Sequence, residues 1–276
     1  MQLMSPEKVK YWNGNKSEIR QHYEHALLSA LLEPQPPTQQ YRITTDQPPR
    51  ETIEDEANIF NEGFDVLVTT AGNPKFRNRP KCIVADPVDY GILGARIAVY
   101  KKDKASDFLG ASKTSYQQAK IAQPWDWADV PIYESNAFAL TTAPSLEACF
   151  TWVSTGQADY LALGANEVMS LFEQFDGAAT GLMVDPHAVI YYPMPLQIYC
   201  HPTRGALALT LTERLQTMTE NGQLKNLFES FYGAEINRIN LQNREIIALN
   251  NPNLGGDSVL KTYISPWVNP QGTEAL

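Results

Sequence analysis

Val66-Leu67-Val68 is a continuous apolar run, with no polar residue interleaved. A strand that reads this way is buried on both faces, as in a parallel sheet. Upstream, Val9 to Trp12 reads as a first strand, Asn13-Gly14-Asn15 as a turn, and Ser17 as a helix N-cap. Ile19, Tyr23, Ala26, Leu27, Ala30 and Leu31 then recur at helical spacing, and Pro34 stops the helix. Tyr41 to Thr45 reads as a second strand. Ile53, Ala57 and Phe60 mark a second helix, with Gly63 just past its end. This β-α-β-α-β order implies a parallel sheet joined by right-handed crossovers.

Further on, Cys82 to Val84 is a short strand and Gly91 to Tyr100 an extended segment. Ser106 to Gln123 is polar and shows no clear period. Leu146, Cys149, Phe150 and Val153 share a helix face between Pro144 and Gly156, and Ala158 to Leu163 follows as a strand. Gln197 to Cys200 is another strand. Ala206, Leu207, Leu211, Leu215 and Met218 form an amphipathic helix ended by Gly222. Leu224, Leu227, Phe228 and Phe231 form one ended by Gly233. Gly255 to Leu276 is rich in Gly, Asn and Pro and reads as extended or loose.

The strand at Val66 exits into Thr69-Thr70-Ala71-Gly72-Asn73-Pro74, and Arg77 follows. Open α/β sheets bind ligands at the carboxyl ends of their strands. A guanidinium there offers a planar fork of donors suited to a carboxylate or phosphate. The parallel order puts Tyr11 and Trp12 at the same sheet edge, so Trp12 is either an aromatic wall near Arg77 or a core residue. Pro124-Trp125-Asp126-Trp127-Ala128-Asp129 packs two Trp and two Asp into one turn, which is either a packed surface turn or a lid that stacks on a ligand.

Composition narrows the field. A 276-residue chain that is 43% hydrophobic holds one large domain or two lobes. A net charge of −9, with no Lys/Arg cluster, argues against nucleic acid as a partner. The longest strongly apolar run, Ala26 to Leu32, is far short of a membrane span. Cys82, Cys149 and Cys200 are odd in number and widely spaced, and read as buried small hydrophobes. His22 and His25 share a helix face and read as a structural pair. There is no G-x-S-x-G, H-E-x-x-H, P-loop or G-x-G-x-x-G, so no catalytic residue, metal site or cofactor is expected.

Asp65, a Thr/Gly loop, Arg77 twelve positions on, and then Asp86-Pro87 together resemble the central motif of bacterial solute-binding proteins. The class is that of polar amino-acid binders, extracellular solute-binding family 3. The stretch from Arg244 to Leu254, Arg20 with Tyr23, and Trp127 with Asp129 are similar to a proteobacterial branch of that class. The resemblance implies a two-lobed α/β type II periplasmic-binding-protein fold, each lobe a mostly parallel sheet flanked by helices. Lobe 1 would be residues 1–94 plus 192–254, lobe 2 residues 95–191, and 255–276 an extension. Arg77 would hold a ligand carboxylate, with Thr69, Thr70, Gly72, Tyr11 and Trp12 around it. Trp127, Asn166, Glu167 and Tyr191 would face the ligand from lobe 2.

One departure stands out. In that family an Asp five positions after the residue matched here by Asp159 grips the ligand's ammonium group, and this chain has Gly164 there. The departure argues against a standard amino-acid ligand; Asn166 and Glu167 are candidate substitutes, out of register. The function implied is capture of a small carboxylate- or anion-bearing ligand in an interlobe cleft, with hinge closure, by a monomeric periplasmic protein serving an ABC transporter. The alternatives are a sensing or orphan binding module, for example for a sensor kinase, and a lyase or dehydratase on the same fold that uses a carboxylate such as Glu167. The first fifteen residues show no basic region followed by an apolar one. A periplasmic location therefore carries the expectation that a leader has been trimmed and Met1 added.

Overall fold

The computed structural model describes residues 6–33, 41–46, 48–50 and 52–268. Met1, Pro34 and the last stretch of the expected loose tail, 269–276, lie outside the described residues. The chain starts with β1 (Glu7–Trp12), α1 (Glu18–Leu31), β2 (Tyr41–Asp46), α2 (Ile53–Ala57), β3 (Val66–Thr70) and β4 (Cys82–Val84). It continues through β5 (Ala95–Lys101), α3 (Ala105–Phe108), α4 (Lys113–Gln118), β6 (Ile121–Pro124), α5 (Val130–Ser135), β7 (Leu140–Ala143) and α6 (Leu146–Ser154). Next come β8 (Tyr160–Gly164), α7 (Val168–Gln174), β9 (Leu182–Val184), β10 (Ala188–Tyr191) and β11 (Leu196–Cys200). It ends with α8 (Gly205–Glu220), α9 (Gln223–Arg238), β12 (Glu245–Ala248) and α10 (Ser258–Lys261).

The elements divide into two compact units: Met1–Val88 with Leu196–Phe231, and Asp89–Pro195 with Tyr232–Leu276. Unit 1 holds a five-stranded sheet in the order β2-β1-β3-β11-β4. β1 pairs in parallel with both β2 and β3, as the β-α-β-α-β order requires, and β11 returns antiparallel to β3. All five residues of β3 are buried, which accounts for its unbroken apolar reading. Trp12, Ile59, Phe60, Phe64, Leu67, Phe76 and Tyr199 pack on one another within this unit. α1 closes over the sheet with Tyr23, Leu27, Leu28 and Leu31 buried, and the Tyr23 ring meets Phe228 and Phe231 edge-on.

Unit 2 holds the sheet β12-β10-β5-β8-β6-β7, with β9 added on β5. β6 pairs in parallel with β7 and β8, whereas β5 runs antiparallel to β8, β9 and β10. One side of this sheet carries an aromatic core, with Tyr100 stacked on Phe108 at 4.3 Å and Tyr116 and Tyr160 edge-on to each other. Gly94 permits a close approach just before β5: a Cβ there would sit 2.0 Å from the Tyr192 carbonyl oxygen. No side chain fits at that distance.

The structure differs from the expectations in four respects. Residues 232–254 join unit 2 rather than unit 1, because β12 extends the second sheet in parallel with β10. The Arg244 guanidinium ties this segment down by donating to the carbonyls of Asp185, Ala188 and Ile239. The chain passes between units after Val88, after Pro195 and after Phe231, not after residues 94 and 191. The helix expected to end at Gly233 runs on to Arg238, since one interior glycine costs only about 1 kcal/mol against alanine. The described part of the C-terminal extension is packed rather than loose: Leu260, Ser265 and Val268 are buried.

Candidate functional site

The carboxyl ends of β1 and β3 in unit 1 gather a dense polar network. Glu24, on the inward face of α1, is fully buried. Its Oε1 accepts from Arg20 Nε at 3.1 Å and Nη2 at 2.8 Å, and its Oε2 pairs with Lys16. The Tyr11 hydroxyl lies 2.6 Å from Asn13 Oδ1 and 3.2 Å from Glu24 Oε2. Lys16 Nζ also donates to the Val68 carbonyl at 3.2 Å. Burial pulls the Lys16 ammonium below its ordinary pKa, against the pull of Glu24. Two cations thus share one carboxylate. A second pair, Lys75 with Glu56 at 2.9 Å, lies in the same unit, and Asn15 donates to that carboxylate at 3.1 Å.

The β3 exit places four expected residues in one loop. Thr69 Oγ1 accepts from Asn73 Nδ2 at 2.8 Å. Thr70 Oγ1 is buried and has no partner among the described residues. Gly72 N donates to the Tyr199 hydroxyl at 3.2 Å. Asn73 caps a single helical turn, Pro74–Phe76, by accepting from Lys75 N, and Arg77 follows that turn with its side chain exposed. Asp65, which opens the motif, accepts from Lys10 N at 2.8 Å and pairs with Arg204.

Unit 2 assembles a different set where β6 and β8 end. Register pairs Arg96 on β5 with Gly164 on β8, so both face the same side of the sheet. Arg96 is 2% exposed and its Nη2 lies 2.7 Å from Asp129 Oδ1. Arg96 Nε donates to the Tyr192 hydroxyl at 3.0 Å, and that hydroxyl bonds Asp129 in turn. Burial raises the Tyr192 phenol well above its ordinary pKa, and does the same to Tyr133, whose hydroxyl lies 3.4 Å from that of Tyr192. These phenols stay protonated as donors.

Around this ion pair lie two buried amides. Gln123 Nε2 donates to the Ala162 carbonyl at 3.1 Å, while its Oε1 has no partner among the described residues. Asn166 is 2% exposed, and neither its Nδ2 nor its Oδ1 has one. The turn after β8 bends back on itself, with Glu167 N donating to the Gly164 carbonyl at 2.9 Å. A Cβ on Gly164 would meet Asn166 Oδ1 at 2.7 Å and Glu167 Oε1 at 3.2 Å. The space that a side chain at 164 would take is therefore held by these two residues. They are out of register in sequence yet adjacent to that position in space.

The remaining expected residues are Tyr11, Trp12, Tyr191 and Trp127. Tyr11 and Trp12 are core residues, not aromatic walls: Tyr11 is turned toward Glu24, and Trp12 Nε1 donates to the Pro48 carbonyl at 3.1 Å. Tyr191 is 2% exposed, and its hydroxyl donates to the Tyr263 carbonyl and accepts from Ser265 N. Its polar tip is taken by the C-terminal segment. Trp127 is partly exposed in the β6–α5 connection, beside the more exposed Trp125. The sequence reading missed Lys16, Glu24, Arg96 and Gln123. The one available signal was Arg96, a lone charge inside the apolar run from Ile92 to Tyr100.

No protein-family model matches the chain, and no curated protein matches it. Solved structures do. The GluR0 ligand-binding core in complex with L-glutamate is 10% identical, with a TM-score of 0.59 over 83% of this chain and 98% of that one. A structure described for glutathione import through GshT and the cystine ABC importer TcyBC of Streptococcus mutans is 15% identical, with a TM-score of 0.57 over 83% and 96%. A histidine kinase sensor domain with similarity to periplasmic binding proteins is 14% identical, with a TM-score of 0.57 over 83% and 97%. These likenesses establish the fold: mixed α/β, two sheets flanked by helices, of the type II periplasmic-binding-protein class.

Proposed function

We propose that the chain is a solute-binding protein for a small ligand bearing a carboxylate or another anion. The observation that carries this reading is a set of buried polar atoms at strand ends with no partner among the described residues: Thr70 Oγ1 in unit 1, and Gln123 Oε1 and both amide atoms of Asn166 in unit 2. Buried polar groups are nearly always satisfied, so such atoms at the ends of α/β strands suit a polar ligand. The two cations that meet at Glu24 and the exposed guanidinium of Arg77 favour a negative charge on that ligand. With Gly164 in place of an acid, recognition of an ammonium group falls to Glu167 or is absent.

On this reading the protein works in the periplasm and delivers its ligand to an ABC importer. A sensing role, as for the kinase domain that shares the fold, is the second reading. The test is a thermal-shift screen of anionic and zwitterionic metabolites. A ligand at a hundred times its Kd should add about 2.7 kcal/mol of stability. Arg77→Ala should abolish that gain, and Thr70→Val and Asn166→Leu should each weaken it. A ligand that binds Arg77→Ala as tightly as the parent removes Arg77 from the site. A metabolite recovered chemically changed replaces binding with catalysis.

A further inference from the structure

We propose that Cys82 and Cys200 are a disulfide site joining β4 to β11 in unit 1. The two are far apart in sequence, but the antiparallel ladder sets them face to face: Ile198↔Val84, Tyr199↔Ile83, Cys200↔Cys82. Residues directly opposite in an antiparallel pair have Cα atoms about 4.5 or 5.5 Å apart, and both spacings fall within the roughly 4.4–6.8 Å that a disulfide spans. Their side chains leave the same side of the sheet, together with Val84 and Ile198. Both are free thiols in this structure. Nothing in the wide spacing of the three cysteines along the chain foretold this pairing.

The two thiols are unequal, which sets the order of events. Burial, with Cys82 adding to it, pushes the Cys200 thiol up to about 12. Cys82 is partly exposed, and its Sγ lies 3.6 Å from the Pro202 carbonyl oxygen. With a low-molecular-weight disulfide as oxidant, the Cys82 thiolate attacks one oxidant sulfur, the oxidant S–S bond breaks, and one thiolate leaves. Cys200 then attacks the Cys82 sulfur of the mixed disulfide and the second thiolate leaves. The two protons of the cysteines end on the two released thiols, and two electrons pass from the protein to the oxidant. The site is at the Val66 end of β3, where Cys200 pairs with Val66, and away from the Thr70 end. Ligand binding is therefore expected to be unaffected by the bond.

The full chain, first reduced, is incubated with oxidised glutathione, denatured in acid and alkylated with iodoacetamide. A second sample is refolded from denaturant with the same oxidant, which covers access to buried Cys200 only during folding. The expected result in at least one sample is a single labelled cysteine, Cys149, and a peptide linked through Cys82 and Cys200. The midpoint of thermal unfolding should rise by on the order of 5 °C. Cys82→Ser should leave Cys149 and Cys200 both labelled and abolish the rise. Three labelled cysteines in both samples, a glutathione adduct on Cys82 that does not resolve, or a dimer linked through Cys82 would each overturn the site.

Discussion

In unit 1 a buried carboxylate, Glu24, is shared by two cations and a phenol; in unit 2 a buried guanidinium, Arg96, is matched by one carboxylate and braced by phenols. Both networks sit where strands of the sheet end, and both remove charge from water, which is costly unless the charge is paired. The difference lies in what is left over. Unit 1 gathers two cations on one carboxylate, while unit 2 keeps uncharged amide atoms without partners among the described residues. On the proposed function, unit 1 would supply charge and unit 2 directional hydrogen bonds. Substitutions in each network should therefore differ in size and even in sign.

The largest effect is expected at the Arg96–Asp129 pair. Arg96→Met leaves Asp129 buried with the Tyr192 hydroxyl against it and no cation, among the described residues, paired with it, and should cost about 3–5 kcal/mol. The double variant Arg96→Met/Asp129→Leu removes both charges and should recover most of that loss, since apolar replacement of a whole buried pair is often neutral. Urea unfolding of the two variants decides the point. Equal losses would mean that Asp129 is held by groups other than Arg96.

Glu24→Gln should be milder. It removes the charge that Lys16 and Arg20 share, but the Arg20 side chain is 14% exposed and can reach water. A loss of about 1.5–3 kcal/mol, the range for hydrogen bonds to a charged group, is expected. Affinity for an anion should hold or improve, because a negative charge beside Lys16 and Arg20 is removed. A fall in anion affinity in a variant that remains folded would place Glu24 in ligand binding and undo the division of labour between the units.

How much of this was legible in the sequence follows from what fixes each feature. Strands and helices were readable where burial leaves a pattern, as in the unbroken apolar run of β3 and the helical period of α1. The Thr69–Arg77 loop was readable because a strand's carboxyl end is marked by small polar residues. Sheet membership of residues 232–254 was not: the pattern Glu245-Ile-Ile-Ala248 fits any half-buried edge, and only parallel pairing with β10 assigns it. Glu24 was hidden among exposed polar residues of α1, because helical spacing does not reveal that one inward position carries a charge. Trp12 and Tyr191 were read toward a ligand because aromatic residues near strand ends suit both a wall and a core. Their hydrogen bonds to Pro48, Tyr263 and Ser265 decide for the core.

The smallest effect, and the one of opposite sign, is expected at Asn166. Its amide is 2% exposed with no partner for either polar atom among the described residues, and its Oδ1 lies where a side chain on Gly164 would begin. Leucine has nearly the same shape and buries no polar atom. Asn166→Leu should therefore stabilise the ligand-free protein by about 1 kcal/mol, the low end of the cost of an unsatisfied buried group. The same change removes two hydrogen-bonding atoms from the ligand, so affinity should fall while stability rises. Chemical denaturation and ligand titration of this variant test both signs. A variant that loses stability without ligand would mean that the amide is satisfied inside the protein, and unit 2 would then lose its part in recognition.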